Sequence, residues 1–438
     1  MHPTRIVVLG FLAAIVMGTL LLMLPQASAS GEPAPLLTAF FTAVSAVCVT
    51  GLVVVDTGSY WSFPGQLIIL LLFQLGGFGI MTAATLLGLM INRSLRLKTR
   101  LIAQTETHTL SGGDLRATFK IVLLTTLVME AIAAAMLVTI YLVRYDASIP
   151  DAIWHGIFHA VSAFNNAGFA LYKDGLAKFG GDFLFLLPIM GAIIIGGLGF
   201  PVFLDLRDRL TRRRPLSLHS KITLAGSASL LLLGTILILA FEWNNEQTLE
   251  SVSIPQKLLS SLFMSVSART AGFNTLDIGM LEHETWSIHY LLMFVGGGSA
   301  GTAGGVKVGT FFILLLLVWA EIQGRRDTEV FGRRVSNSVQ REAITVLVLG
   351  SACVTLGTFI LLATTTVPTD QVIFEVISAF ATVGLSTGIT ADLPPIAQLT
   401  LTLLMVVGRV GTITVAAALA TGTMARRYRY PEERPIVG

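Results

Sequence analysis

Four stretches of this chain, Ile6 to Leu24, Ile121 to Val143, Leu224 to Phe241 and Ile344 to Ala363, are almost wholly apolar. Each is long enough to cross a bilayer's hydrocarbon core as a helix rising 1.5 Å per residue. A soluble fold would have to bury such segments on every side. With 53% hydrophobic and only 13% charged residues, and a mean hydropathy of +0.77, the chain has too little polar surface to do so. The sequence therefore specifies an all-α polytopic membrane protein, since hydrocarbon admits only spanning elements that satisfy their own backbone.

Charge placement supplies the topology. Basic residues gather in alternate connections: Arg93, Arg96, Lys98, Arg100, Arg116 and Lys120, then Arg207 to Lys221, then Arg325 to Arg341, and finally Arg426 to Arg434. The intervening connections carry acids such as Asp56, Asp151, Asp174, Glu246, Asp277 and Asp392. Positive residues remain on the cytoplasmic side, so both termini are expected there in a multi-pass protein of the cytoplasmic membrane, and these basic clusters do not indicate nucleic acid. Arg5, an apolar run and Ala27-Ser28-Ala29 imitate a signal peptide. The run is longer than a signal core, so retention as a first span is expected. Cys48 and Cys353 both lie in apolar segments and read as packing residues.

Between pairs of spans stand four short relatives: "FFTAVSAVCVTGL", "IFHAVSAFNNAGF", "LFMSVSARTAGF" and "IFEVISAFATVGL". All share Phe-x-x-Val/Ile-Ser-Ala followed by glycine, at Gly51, Gly168, Gly272 and Gly384, spaced 117, 104 and 112 residues apart. The segments are too short to cross a membrane, and each begins and ends on the acidic side. They read as re-entrant helices, with four helix–pore-loop–helix repeats in pseudo-fourfold symmetry around a central ion pore. The expected units are 1–92, 93–215 with its preceding basic loop, 216–330 and 331–424, with a tail at 425–438. Expected spans lie near 5–24, 64–91, 118–144, 182–205, 220–241, 286–320, 341–364 and 396–424. Irregular backbone at this depth is tolerated where it lines a wet cavity. Glycine allows carbonyls to be aimed at an ion as substitutes for its hydration shell. The candidate cation-binding residues are Val49, Thr50 and Gly51; Asn166, Ala167 and Gly168; Thr270, Ala271 and Gly272; and Thr382, Val383 and Gly384. The third copy has one residue fewer between Ala268 and Gly272, so its helix end must differ locally.

A second run, Gly296-Gly297-Gly298-Ser299-Ala300-Gly301-Thr302-Ala303-Gly304-Gly305, lies inside the expected inner helix of the third unit. Each helical glycine costs up to about 1 kcal/mol relative to alanine, so the helix should break there. Close small-residue packing is the competing explanation. Gly76-Gly77, Gly196-Gly197 and Gly408 fall at similar depth in the other inner helices. Arg409 lies at the same depth, too far from Arg426 to reach headgroups easily, and Lys307 and Glu130 are two further intramembrane ionisable residues. His155 and His159 are one turn apart, but no third ligand accompanies them, so packing is preferred to a metal site.

The sequence resembles the Trk/Ktr/HKT superfamily of potassium transporters, and most closely its bacterial Ktr-type membrane subunits, over essentially its whole length. "SARTAGFNTLD", "GGGSAGTAGGVKVGT" and "VVGRVGT" carry the resemblance. It implies potassium uptake, with the four glycines as filter glycines favouring potassium and residues 296–305 as an intramembrane gate with Arg409. It also implies a homodimer on a cytoplasmic octameric ring of KtrA-type subunits that bind ATP or ADP, transport stimulated by Na+, and K+ as cargo, with no organic cofactor in this chain. An alternating-access cation symporter is the alternative, although its inverted repeats are not apparent. An enzyme is not expected, because neither His-Glu-x-x-His nor CxxC is present and carboxylates are scarce within spans.

Overall fold

The computed structural model describes residues 3–94 and 115–411. Arg96, Lys98 and Arg100 of the first basic connection, and the whole of the expected tail, lie outside the described residues. Among the described residues, fourteen helices of twelve residues or more carry the architecture: α1 Pro3–Leu22, α2 Leu36–Val47, α3 Phe63–Ser94, α4 Leu115–Arg144, α5 Ile149–Asn165, α6 Phe183–Leu198, α7 Phe200–Arg212, α8 Leu218–Glu242, α9 Ile254–Ala268, α10 His283–Phe294, α11 Val308–Ile322, α12 Asn337–Thr364, α13 Thr369–Phe380 and α14 Pro395–Val410. A small hairpin pairs β1 Glu329–Val330 with β2 Arg333–Arg334.

The four short segments are helices, α2, α5, α9 and α13. Each starts at a proline, either as the N-cap (Pro35, Pro368) or in the first turn (Pro150, Pro255). There the missing N–H costs no hydrogen bond and the fixed φ suits the helix. Ser148 adds a side-chain cap to α5, accepting from the Asp151 N–H at 3.3 Å.

Packing follows one rule throughout. Each short helix contacts the two long helices of its own unit, and the inner helix of each unit also packs on the short helix of the next: α3 on α5, α6 on α9, α10 on α13 and α14 on α2. The last contact returns the chain to its first unit. Outer helices turn large apolar side chains outward, with Leu232 65% and Phe359 67% exposed, as a lipid-facing surface requires.

Among the described residues, the stretch of α4 from Lys120, together with α8 and α12, can each cross a membrane unbroken, and α6 with α7 forms one bent span. The other expected spans coincide with shorter apolar helices, including Val8–Leu22, Phe63–Gly79, Val308–Ile322 and Pro395–Val410. The expected span near 182–205 is present but turns by 99° at Gly199. The third inner helix is broken between Phe294 and Val308, as its glycine density demands.

Candidate functional site

The four loops that follow the short helices share one backbone design. Val49, Asn166, Thr270 and Thr382 have φ of 56, 56, 77 and 51°, and two residues later Gly51, Gly168, Gly272 and Gly384 have φ of 84, 71, 77 and 95°. Left-handed backbone at every second residue reverses alternate peptides, so carbonyls that would alternate in a strand can line one side. The motif serine fixes the turn. Its carbonyl accepts from the N–H before the glycine, with Thr50, Ala167 and Val383 donating to Ser45, Ser162 and Ser378 at 2.8 Å each. In the shortened third copy Ala271 and Gly272 both donate to Ser267 O, at 2.9 and 3.3 Å, and the missing residue is absorbed by ending α9 at Ala268. Serine hydroxyls reach past the glycine as well: Ser162 donates to Phe169 O at 2.9 Å, Ser267 to Phe273 O, and Ser378 Oγ accepts from the Gly384 N–H at 3.1 Å.

The loops close on one another. A Cβ added to Gly51 would sit 2.5 Å from Ala167 O, and one on Gly168 3.0 Å from Ala271 O. A Cβ on Gly272 would collide with Val383 O, and one on Gly384 with Thr50 O. Each glycine thus faces the carbonyl of the next copy, and the fourth faces the first. A ring of backbone oxygens with no side chain between them can replace the water shell of a bare cation.

Immediately beneath lies the break in the third inner helix. Val295 and Val306 pair as a parallel bridge, with the Gly296 N–H donating to Val306 O at 2.9 Å and the Val306 N–H to Phe294 O at 3.1 Å. The loop rests on the second unit through Gly298 N–H to Gly197 O, 2.8 Å, and Thr302 N–H to Gly196 O, 3.2 Å. It also approaches the ring, since an added Cβ on Gly296 would meet Thr270 Cγ2 at 3.1 Å and one on Gly305 would meet Ala381 Cβ at 3.1 Å. Gly297 to Gly301 has the Gly-x-Ser-x-Gly spacing of a hydrolase elbow, but it joins two helices rather than turning from strand to helix.

Three cations hold this loop by its carbonyls. Arg409, 4% exposed, donates to Thr302 O and, at 3.4 Å, to Gly76 O of the first unit. Lys307 donates to Ala303 O and Gly304 O. Arg269 bonds Gly296 O at 3.2 Å and the Ser227 hydroxyl at 3.1 Å. Arg269 carries no expectation in the sequence; its signal there is a lone arginine one residue before Thr270 in an otherwise apolar segment. Inner-helix glycines explain the tightness of the assembly: added Cβ atoms on Gly76, Gly196 and Gly408 would strike Val47 O, Phe164 O and Phe380 O, the ends of the short helices.

Glu130 is buried and accepts from Gln74 Nε2 at 3.1 Å and Asn165 Nδ2 at 2.9 Å, joining the first and second units. His155 and His159 form no metal cluster among the described residues; the His159 ring stacks on Tyr172 with centroids 5.3 Å apart. On the acidic side, the outer loops of the first two units line an open cleft of about 480 Å³ with residues including Asp56, Tyr172, Asp174 and Lys178. Lys178 Nζ lies 3.6 Å above the Tyr172 ring, and partial burial lowers its pKa from the usual lysine value.

The family model described as "Cation transport protein", TrkH, matches residues 1–424. The chain is 37% identical over 436 residues to Ktr system potassium uptake protein B of Bacillus subtilis (strain 168), covering 100% of this chain and 97% of that protein. It is 34% identical to potassium/sodium uptake protein NtpJ of Enterococcus hirae, covering 100% and 98%. The crystal structure of the potassium transporter TrkH from Vibrio parahaemolyticus superposes with a TM-score of 0.73 at 18% identity, covering 96% of this chain and 85% of that one, a likeness of fold.

Proposed function

Because the chain belongs to the TrkH family of cation transport proteins, whose members are transporters and not enzymes, we propose that it takes up potassium across the bacterial cytoplasmic membrane through the glycine ring. The observation that carries this reading is the closed circuit in which each of Gly51, Gly168, Gly272 and Gly384 faces the next copy's carbonyl. Potassium as cargo is supported by the names of the full-length relatives.

An ion entering from the acidic side sheds water as the carbonyls of Val49 to Gly51, Asn166 to Gly168, Thr270 to Gly272 and Thr382 to Gly384 take its place. Membrane potential drives inward movement by about 2.3 kcal/mol per charge per 100 mV. The 296–305 loop acts as the gate beneath, and Arg409 adds a fixed positive charge whose two terminal nitrogens donate to carbonyl dipoles. Both elements oppose flow until the loop moves. Regulation comes from a cytoplasmic nucleotide-binding ring of the KtrA type, with the chain as a homodimer; the word "system" in the relatives' names supports a partner. Arg207, Arg209 and Arg212, exposed on α7, offer a docking face for the ring. Sodium acts as a stimulating ion, a reading supported by the name of the Enterococcus relative.

The test is rubidium uptake into liposomes carrying the purified chain, driven by an imposed potential. Potassium is expected to compete far more strongly than sodium or lithium. Equal inhibition by all three would overturn the reading.

A further inference from the structure

The motif Phe-x-x-Val/Ile-Ser-Ala leaves the position after phenylalanine open, and the four copies fill it with Thr42, His159, Met264 and Glu375. All four are buried. In the second and fourth copies this side chain reaches the same backbone group, the N–H three residues beyond the ring glycine. The Leu171 N–H donates to His159 Nε2 at 3.3 Å, and the Thr387 N–H donates to Glu375 Oε1 at 3.0 Å. Two chemically unlike acceptors at one motif position have converged on one bond.

The surroundings show that both are used as acceptors. His159 Nδ1 lies 2.7 Å from His155 O, so the proton sits there and the ring is neutral, leaving Nε2 free to accept. Glu375 also accepts from the Ser386 hydroxyl, and at Oε2 from Thr390 Oγ1 at 3.0 Å. A carboxylate with 0% exposure is retained only where donors satisfy it, and every donor here comes from the strand that returns outward after Gly384. The second and fourth copies are diagonal in the ring, because Gly51 and Gly272 neighbour both of them.

Positive φ aims the ring carbonyls, yet backbone geometry alone does not hold the outward strands at a fixed distance from their helices. We infer that His159 and Glu375 are positioning residues that set ion preference, each strapping the outer end of its loop to its own short helix. The inference rests on the ring being the ion filter. An apolar residue in either place leaves a buried N–H without a partner, a cost that corresponds to about tenfold in an equilibrium.

The experiment measures rubidium uptake by the full chain in liposomes, with potassium or sodium as competitor. Glu375→Leu is expected to lower the preference for potassium over sodium by about tenfold. His159→Phe should shift it in the same direction, and Glu375→Gln, which keeps an oxygen for Thr387, should restore most of it. Gly272→Ser, in a copy without a strap, runs in parallel as the test of the ring itself. If Gly272→Ser shifts preference while Glu375→Leu and His159→Phe change only yield or maximal flux, the straps are overturned and the filter stands. If Gly272→Ser also leaves preference unchanged, the filter reading falls and the straps fall with it. Should Glu375→Leu fail to fold, His159→Phe decides the matter alone.

Discussion

The second and third units both interrupt their inner helices, by opposite means. In the second, a single residue makes the corner: Gly199, at φ 91° and ψ 148°, ends α6 and starts α7 with a turn of 99°. Those angles belong almost exclusively to glycine, so the corner is set by local stereochemistry and is rigid. In the third, the chain from Val295 to Lys307 leaves the helix altogether and is held by Arg269, Lys307 and Arg409 from outside or from its edge. Its main-chain bonds run to the second unit as well as within the loop, so tertiary contacts rather than its own stereochemistry fix its position. The corner also seats the loop, since the Phe200 N–H donates to Ala300 O at 3.3 Å. A corner set by its own backbone angles and a loop set by tertiary bonds lie against each other, and the loop is the element proposed above as the gate.

The largest effect that could break this contrast is at the corner. Gly199→Ala places a Cβ against Ser299 O and 3.2 Å from the Gly301 N–H, at a φ that alanine resists. A cost of about 3 kcal/mol or more is expected, seen as loss of most monodisperse protein in size-exclusion chromatography. Wild-type yield and thermal midpoint would show that the corner is not rigid.

A smaller change, in flux rather than folding, is expected where side chains hold the loop. Arg409→Ala removes the bonds to Thr302 and Gly76 and, on the proposed function, a positive charge beside the path. Like charges 4 Å apart repel by about 4 kcal/mol at an effective dielectric of 20, and cavity water reduces this, so maximal flux should rise about tenfold. Preference between potassium and sodium should hold, because the ring lies elsewhere. A rate at or below wild type in stably folded protein would reject the barrier role.

The smallest effect distinguishes the corner from glycine content in general. Gly191, in the same helix as the corner, has nothing within 4 Å of a Cβ and no positive φ. Gly191→Ala should be neutral or stabilise by up to about 1 kcal/mol, raising the thermal midpoint by a few degrees. A destabilisation as large as that of Gly199→Ala would mean that α6 needs flexibility along its length.

Much of this was readable in one dimension. The four short helices, the positive-φ glycines after them and the break after Phe294 all follow from spacing and propensity, because each depends on residues near one another in sequence. The shortened third copy was also legible, as was the burial of Arg409. The bend at Gly199 was not. Gly196, Gly197 and Gly199 read alike as small residues, and only the backbone angles found at Gly199, φ 91° and ψ 148°, single it out as the corner. Arg269 was hidden because its partners, Ser227 and Gly296, lie 42 and 27 residues away.

The sequence by itself determined that this chain spans a membrane, that it does so in four like units, and that glycines recur where the backbone must turn. Those outcomes are set by transfer free energy and by φ limits, which act residue by residue. Only the tertiary structure decided which carbonyl faces which glycine, which unit the loop rests on, and where each buried cation finds its oxygens. Such pairings are closed by packing around the ring, where Gly384 meets Thr50 across more than three hundred residues, and no local preference encodes them.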